Sequence, residues 1–470
     1  MNAPIIWIML PLGLSGLLFL INRWRRVAGG VGSAFALLMA GAAWLLPVGK
    51  PIQLGIVSFE IQPAWIVFGR RFFLENSDRP FVIVLNLAIA FWFAGSLSLR
   101  GRSLLIPLGM AISAMLIAAL LVQPFYYGFI LLFFATILSV FLFVSEQGEV
   151  HLGIKRYWIF QSLAMPLLLL AGWLLSGTEA NPGEIASASL IYVLLLLGLA
   201  LLLSSFPFQS WLPAVAQVVS PYAFSFVVFV IFLSYSLFTV VFLRQSTWLS
   251  SSSWILLFFS FQGFLLTILG GMGAIYHRHL GRWMGYAQIK ELGLSFLTIG
   301  LGLALPDQTS FLAILFLQIL PRGIALALWG LACNLYLEHE ESLQIQDLVG
   351  IGRRYPIATA AFFLSVLTLV GFPLTAAFPI HLLIWQGWFQ NFPPVAFAAI
   401  FGSVGVLIGG LRAMAVLVRS DHTKEQGSLE PRSQAILLTI GSVILLLMGI
   451  FPSWFLSVLY NLGMTFFKGS

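Results

Sequence analysis

Four ionisable residues lie inside segments that are otherwise almost wholly apolar: Lys290, Glu291, Arg322 and His381. A charged side chain within a membrane costs free energy, so such residues usually mark an ion pathway or a proton relay. A buried lysine gives up its proton more easily than an exposed one, and histidine changes charge near neutral pH. Arginine stays protonated in proteins, so we expect Arg322 to hold a carboxylate such as Glu291 or to act as an electrostatic gate.

Two apolar segments are interrupted by prolines in the same way. LLLSSFPFQSWLP (201–213) contains Pro207 and Pro213, and LVGFPLTAAFPIHLLIW (369–385) contains Pro373 and Pro379. Broken helices present free backbone groups and dipole ends at membrane depth, and a corresponding pair of them is typical of a transport site. The alternative is that these prolines only kink two membrane helices.

The composition predicts a polytopic membrane protein. Of the 470 residues, 60% are hydrophobic and 8% are charged, whereas soluble domains contain roughly 25% charged residues. The net charge of +7 comes from basic residues that are scattered over short loops. This distribution indicates which loops face the cytoplasm and does not indicate a nucleic-acid partner. The single cysteine, Cys333, excludes an internal disulfide framework or a thiolate metal cluster. We expect no cofactor and no metal in this chain.

Stretches long enough to cross a bilayer predict an all-α fold with about fourteen transmembrane helices. They lie near residues 5–22, 28–47, 80–98, 104–121, 126–144, 157–176, 187–216, 221–243, 252–276, 284–304, 308–336, 356–389, 394–416 and 433–463. The predicted divisions are an N-terminal unit (1–102), two five-helix repeats (103–245 and 250–420) and a C-terminal helix (431–470). The loop 48–79 alternates apolar and polar residues around Gly and Pro, which predicts a small hairpin on the outer face.

The interrupted segments are the seventh and the twelfth, five helices apart. Because five is odd, a second five-helix repeat must enter the membrane from the opposite side, so the two repeats are predicted to be inverted. Alternate loops hold fourteen Lys and Arg residues on one side and six on the other. Positively charged loops stay in the cytoplasm, so both termini are expected outside, in a bacterial inner membrane.

Four stretches resemble one protein family. PFQSWLPAVAQVVSP (207–221) is similar to the P-F-H-x-W-L-P-D-A-x-x-x-A-P motif of the antiporter-like membrane subunits of complex I, the NADH:quinone oxidoreductase. AIYHRHLGRWMGYAQIKELG (274–293), DLVGIGRRYP (347–356) and LVGFPLTAAFPIHLLI (369–384) resemble further family stretches in the same order. The family also includes Mrp-type sodium/proton antiporter subunits and the membrane arms of hydrogenases. The resemblance runs from about residue 60 to 420.

The resemblance implies that each five-helix half holds a hydrated half-channel and passes protons between ionisable residues. In the first half, the family's ionisable positions align with apolar residues, namely Phe134, Leu202, Ala214 and Phe229. No Asp, Glu, Lys, Arg or His occurs between Ile185 and Leu243. This half is therefore not expected to relay protons through acidic or basic side chains. At most its polar residues order water, namely Ser204, Ser205, Gln209 and Ser225.

The second half keeps more of the implied relay. His381 aligns with a family Lys or Glu, and Glu291 with a family His. Arg322 lies near a family Lys, with Gln318 at a family His position four residues earlier. The relay candidates are therefore Lys290, Glu291, Gln318, Arg322 and His381. Alternatives remain, because His381 could be a neutral histidine bonded to backbone, and Glu291 could anchor the cytoplasmic end of its helix. Arg412 is expected to reach the membrane interface.

The function that these residues favour is that of a membrane-arm subunit of a complex I-like quinone oxidoreductase. Such a subunit has no catalytic centre of its own, and its partners are other membrane subunits and the bilayer. Either it moves protons through its second half, or it is a degenerate subunit that no longer translocates protons and serves as a scaffold. The alternatives are an Mrp-type sodium/proton antiporter subunit and a non-pumping structural subunit of a hydrogenase or carbon-uptake complex. A metal site at His277 and His279 is rejected, because no Cys, Asp or Glu accompanies them.

Overall fold

The computed structural model describes residues 2–54, 57–97, 104–144, 150–180, 186–305, 307–338, 340, 342–419 and 430–469. Within these residues the chain is mostly helical. Nine of the described helices are long and apolar enough to cross a membrane, as judged by length and composition, and four shorter helices are also apolar. The predicted boundary at 102–103 and the predicted end of the second repeat at 420 lie outside the described residues.

The N-terminal part contains three helices and most of the strand structure. Its helices are α1 (Leu10–Leu20, after a π-helical turn at Ile5–Met9), α2 (Arg25–Leu45) and α3 (Arg79–Ser96). Between α2 and α3 lie β1 (Pro51–Leu54), β2 (Val57–Glu60), β3 (Ala64–Val67) and β4 (Arg70–Phe73). A short β5 (Val122–Gln123) pairs with β4.

Two groups of helices follow, and each contains a broken segment in the fourth place. The first group is α4 (Leu105–Leu121), α5 (Gly128–Phe143), α6 (Leu152–Ala180), α7 (Ala186–Leu202), α8 (Trp211–Val218) and α9 (Pro221–Arg244). A short α10 (Thr247–Ser250) leads to the second group. That group is α11 (Ser253–Tyr276), α12 (Leu280–Ala304), α13 (Gln308–Leu337), α14 (Ile351–Arg354), α15 (Pro356–Val370), α16 (Phe378–Asn391) and α17 (Pro393–Leu417).

The breaks lie where the sequence places them. Pro207 falls between α7 and α8, and Pro373 falls between α15 and α16. Pro213 and Pro379 lie in the first turns of the helices that resume, where a missing backbone N–H costs little. Gly371, directly after α15, has a φ of +73°, a conformation that glycine adopts without strain. Each break therefore separates two helices that together replace one continuous span.

The core of the molecule is formed by α9, α12 and α13, which are buried along almost their whole length. These helices are largely apolar on all sides, as expected for helices surrounded by other helices. The main exceptions are a polar stripe on α12 and the residues Gln318 and Arg322 on α13. The α9 and α13 helices pack against each other, and α8 packs on α12, so the two groups share one interior. The glycine-rich turn of α11 comes close to this core, because a Cβ on Gly270 would lie 2.5 Å from the backbone nitrogen of Lys290.

The expectation of an all-α fold with one hairpin is wrong in one region. The structure contains two antiparallel hairpins, β1–β2 and β3–β4, and the second is extended by β5 into a three-stranded sheet. The β3–β4 turn uses Phe68 and Gly69, which both have positive φ angles, as two-residue hairpin turns require. The alternation of apolar and polar residues extends over enough of the loop to form two hairpins, whereas the sequence predicted one.

The last predicted segment, 433–463, is also not one helix. It consists of α18 (Arg432–Ile450) and α19 (Pro452–Gly469). Pro452 cannot donate the backbone hydrogen bond that would continue α18, so a new helix begins there. The α19 helix packs on α13 and α3, which ties the C-terminal part to both the core and the N-terminal part.

Candidate proton-relay site

The ionisable residues of the second group meet inside the helix bundle. Lys290 and Glu291 come from α12, Arg322 and Gln318 from α13, and His381 from α16. All except Arg322 belong to the buried class, and Arg322 is half-buried. The structure therefore brings together all five side chains that the sequence nominates.

Lys290 and Glu291 form a buried ion pair although they are adjacent in sequence. Lys290 Nζ lies 2.7 Å from Glu291 Oε1. The same ammonium group donates a hydrogen bond to the backbone carbonyl of Leu369, near the end of α15. Lys290 thus links α12 to the helix that precedes the second break.

Arg322 holds the other side of the Glu291 carboxylate. Arg322 Nε lies 2.7 Å from Glu291 Oε2, and Nη2 donates to the Glu291 carbonyl at 3.0 Å. Its remaining contacts are to Ser295 Oγ at 2.8 Å and Gln318 Oε1 at 2.7 Å. Since a guanidinium presents donors in a fixed fork, these contacts hold Arg322 and Glu291 in one geometry. Glu291 is therefore the partner that the sequence analysis expected for Arg322.

Glu291 does not lie at the end of its helix as an interfacial anchor. It is 2% exposed, and both carboxylate oxygens contact cations. Because α12 begins at Leu280, Glu291 lies about three turns into the helix. Packing of α12 against α13 turns the carboxylate inwards.

His381 lies beside the break between α15 and α16. It is 2% exposed, and its Nδ1 atom is buried without a hydrogen-bond partner among the described residues. A Cβ on Gly371 would lie 2.2 Å from this nitrogen, so the absence of a side chain at Gly371 makes room for the ring. The ring is within electrostatic range of Lys290, Glu291 and Arg322.

Two small cavities adjoin the Glu291–Arg322 pair. One, of about 10 Å³, is lined by both residues, by Gln318 and Leu369, and by His381. The other, of about 20 Å³, lies between α9, α12 and α13. A cavity of roughly 10–15 Å³ is the smallest that accommodates one water molecule. Both cavities are therefore of the size of single waters and do not form a wide channel.

Sequence reasoning missed a polar stripe on α12. Gln288, Glu291, Ser295 and Thr298 recur at spacings of three and four residues, which places them on one helix face. Gln318 joins this stripe by donating to Thr298 Oγ1 at 2.9 Å. The three- and four-residue spacing of these polar residues is sufficient to predict the stripe from the sequence. The charged residues alone do not reveal it.

In the first group, the position on α5 that aligns with a family carboxylate does not face the interior. Phe134 is 49% exposed on the outside of the bundle, because α5 turns a different face inwards. The inward polar residues are Thr136, which forms a short hydrogen bond with Tyr235, and Ser139, which lies 2.7 Å from the hydroxyl of Tyr157. Uncharged hydroxyl pairs thus occupy the interior of this group.

The remaining aligned positions of the first group are apolar in the structure. Leu202 and Phe229 are buried, and the Phe229 ring stacks on Trp92 at 5.0 Å between ring centroids. Among the polar candidates, Ser204 Oγ accepts a hydrogen bond from Trp211 Nε1 at 2.9 Å, and Ser225 Oγ donates to the Tyr222 carbonyl. Both hydroxyls therefore already form hydrogen bonds within the protein.

The loop histidines and Arg412 stabilise helix ends. His279 Nδ1 accepts hydrogen bonds from the backbone nitrogens of Gly281 and Arg282, which caps the start of α12. Arg412, on α17, donates to the carbonyls of Ile275 and His277 at the end of α11. These contacts give both positions a structural role, as capping groups at helix termini do elsewhere.

A polytopic helical bundle with two broken helices and ionisable residues buried beside one break is the architecture of a membrane transport subunit. Residues 157–409 match the family described as NADH:quinone oxidoreductase/Mrp antiporter, TM. This match covers more than half of the chain, which therefore belongs to that family. The resemblance drawn from the sequence motifs is confirmed.

Curated relatives agree with this assignment. The chain is 31% identical over 170 residues to the chloroplastic NAD(P)H-quinone oxidoreductase subunit 2 of Chlorokybus atmophyticus, a stretch that covers 36% of this chain and 32% of that protein. It is 24% identical over 344 residues to the NADH-quinone oxidoreductase subunit N of Pelagibacter ubique, covering 68% of each. The matched stretches thus span from about a third to about two thirds of these relatives.

Solved structures share the fold over nearly the whole chain. A chain of respiratory complex I from Thermus thermophilus has a TM-score of 0.77 at 18% identity, with 99% of both chains covered. A chain of the Mrp complex from Dietzia sp. has a TM-score of 0.78 at 16% identity, covering 98% of this chain and 96% of that one. Both structures come from membrane complexes of several subunits, so subunits of such complexes share this fold.

Proposed function

We propose that this chain is a membrane-arm subunit of a complex I-like quinone oxidoreductase and that it moves protons through its second helix group. The observation that carries the proposal is the buried cluster of Lys290, Glu291 and Arg322, in which Glu291 and Arg322 line a small cavity together with His381 beside a broken helix. Burying a charged side chain inside a membrane costs free energy, so such residues usually have a function.

The charges of the cluster suggest which groups carry the proton. Arg322 and Glu291 have opposite charges that cancel, and arginine does not deprotonate. If Lys290 and His381 were both protonated, two positive charges would remain in a low-dielectric interior, which is unfavourable. These two residues therefore share one proton.

The proton transfer conserves charge. An N–H bond of Lys290 breaks and a new N–H bond forms at His381 Nδ1, by way of the Glu291 carboxylate and a water in the small cavity that Glu291 and His381 both line. This leaves a neutral amine and an imidazolium. The reverse transfer restores the starting state, and Arg322 keeps Glu291 in place throughout.

Several broader features belong to the same proposal. We place fourteen spans in the membrane, with inverted repeats at 103–245 and 250–420 and both termini outside a bacterial inner membrane. The broken fourth segment in each helix group and the uneven distribution of Lys and Arg support this topology. The partners are other membrane subunits and lipid, and electron-carrying cofactors lie on those partners.

An Mrp-type sodium antiporter is a weaker candidate. Glu291 is the only acidic residue within the described helices of the second group, and both of its oxygens already contact cations. Sodium ions require several oxygen ligands, and this carboxylate is not available to supply them. A non-pumping structural subunit is the second candidate, and the lack of acidic and basic residues between Ile185 and Leu243 favours it.

The test is proton pumping by the complete complex, purified through a tag on this chain and compared in inverted membrane vesicles. We expect Glu291→Gln and His381→Ala to slow proton delivery through this subunit by about tenfold or more, as loss of an acid/base group does. The matched controls are the exposed residues Glu60 and His151, changed to Gln and Ala. Unchanged proton yield per electron in an intact Glu291→Gln and His381→Ala complex would reduce the chain to a structural subunit.

A further inference from the structure

The 20 Å³ cavity between the two helix groups is not explained by the Lys290–His381 exchange. It is lined on one side by Gln288, Glu291 and Ser295 of α12 and by Gln318 and Arg322 of α13. On the other side it meets α9, whose lining residues are apolar except for Ser236. One wall of the cavity is therefore polar, and that wall carries the Glu291 carboxylate.

Gln288 presents an unused donor to this cavity. The side chain is 2% exposed, and its Nε2 atom is buried without a hydrogen-bond partner among the described residues. Buried amide groups are nearly always hydrogen-bonded to protein or to ordered water, because leaving one unpaired is costly. No described residue accepts a hydrogen bond from Gln288 Nε2, which indicates that a ligand in the cavity does so.

The size and chemistry of the cavity identify the ligand. A volume of about 20 Å³ accommodates one water molecule and excludes larger ligands. A buried water needs two to four polar partners, and Gln288 and Glu291 lie one helical turn apart on the same face of α12. Ser295 and Gln318 line the same space.

We propose that Gln288 binds a single water molecule against Glu291 and that this water is the second proton port of the cluster. The inference rests on the proposed proton relay. When Lys290 has given its proton to His381, Arg322 is the only cation that remains in direct contact with the Glu291 carboxylate. The water at the Gln288 site then relays an incoming proton: an O–H bond forms between its oxygen and that proton while one of its own O–H bonds breaks, an O–H bond forms on the Glu291 carboxylate, and water remains.

The proton continues to Lys290. The O–H bond of Glu291 breaks and an N–H bond forms on the neutral amine across the 2.7 Å contact, which regenerates the carboxylate and the ammonium. Gln288 is a positioning residue in this scheme, since it holds the water and carries no proton itself. The route also bypasses the first helix group, where Phe229 occupies the wall of the cavity.

The experiment compares Gln288→Leu, Gln288→Asn and Ser236→Ala in the tagged complex. Ser236 is the matched control, because it lines the same cavity but its hydroxyl already donates to the carbonyl of Phe232 at 2.8 Å. We expect Gln288→Leu to lower the pumping rate severalfold and to shift its pH profile, with partial recovery in Gln288→Asn. We expect Ser236→Ala to behave as wild type.

A high-resolution cryo-electron microscopy map supplies a readout that does not depend on activity. We expect density for one water within hydrogen-bonding distance of Gln288 Nε2 in the wild-type complex and none in Gln288→Leu. A dry cavity together with normal pumping and an unchanged pH profile in Gln288→Leu overturns the inference. If Glu291→Gln and His381→Ala are themselves without effect, the proposed relay fails, whatever Gln288 does.

Discussion

Glu291 and Arg322 are thirty-one residues apart in sequence and form a 2.7 Å ion pair inside the helix bundle. The pair joins α12 to α13, and Lys290 extends it to the carbonyl of Leu369 on α15. This cluster of contacts links three helices and contains the carboxylate that the proposed proton relay needs. The structural role and the proposed relay role therefore coincide in Glu291, and single and double variants separate them.

We expect Arg322→Gln to destabilise the protein strongly. Removing one partner of a buried ion pair leaves the other charge uncompensated, which costs about 3–5 kcal/mol. The double variant Glu291→Gln/Arg322→Gln should lose less stability than the two single variants together. Thermal unfolding of the purified complex, with the exposed Arg353→Gln as control, measures the difference. Strictly additive losses would show that the two side chains do not interact.

We expect Gly371→Ala to impair both stability and proton pumping. The φ of +73° at this position costs an alanine about 1–2 kcal/mol. The new Cβ would also meet His381 Nδ1 at 2.2 Å and displace the ring. Gly13→Ala is the matched control, since nothing lies within 4 Å of a Cβ there. Wild-type pumping by Gly371→Ala would argue against a role for the position of His381.

We expect the cap of α12 to weaken in acid. Burial lowers the pKa of His279 from 6.5 to about 4, and the charge of Arg282 adds to this effect. The neutral ring accepts the capping hydrogen bonds, so its contribution is complete above about pH 6.5 and is lost as the pH falls towards 4. Such a cap contributes about 1 kcal/mol.

His279→Asn keeps an acceptor that does not titrate, so its stability should fall less steeply over this pH range. Thermal unfolding of the purified complex at several values between pH 4.5 and 7.5 provides the comparison. Equal slopes for the wild type and His279→Asn would contradict the assignment of His279 as the titrating cap.

We expect the hydrogen bond between Thr136 and Tyr235, in the first helix group, to contribute to stability and not to proton transport. Tyr235→Phe removes the hydrogen bond to Thr136 and should cost about 1 kcal/mol. The Tyr235 hydroxyl also donates to the carbonyl of Leu132 at 2.9 Å, and a backbone carbonyl does not pass protons onward. Proton yield per electron should therefore be unchanged. A reduced yield in a normally assembled complex would assign a transport role to the first group.

Much of the fold was predictable because the relevant signals are local. The apolar segments between Ile5 and Leu417 correspond to helices in the structure with small changes at their ends. Pro207 and Pro373 predicted the two breaks, since proline removes a backbone donor wherever it stands. The second hairpin was missed because strands of four residues carry little periodic signal. The division at Pro452 was missed because α18 and α19 form one nearly continuous apolar stretch.

The sequence by itself determined that this chain lies in a membrane, where its helices break and which few ionisable residues are placed among apolar neighbours. Composition and the spacing of residues along one segment are sufficient for these conclusions. Only the tertiary structure decided that Glu291 contacts both Lys290 and Arg322, that Gln288 faces the same cavity and that Phe134 points away from it. Successive residues on a helix point about 100° apart, so the side that faces the interior is set by packing against neighbouring helices that are distant in sequence.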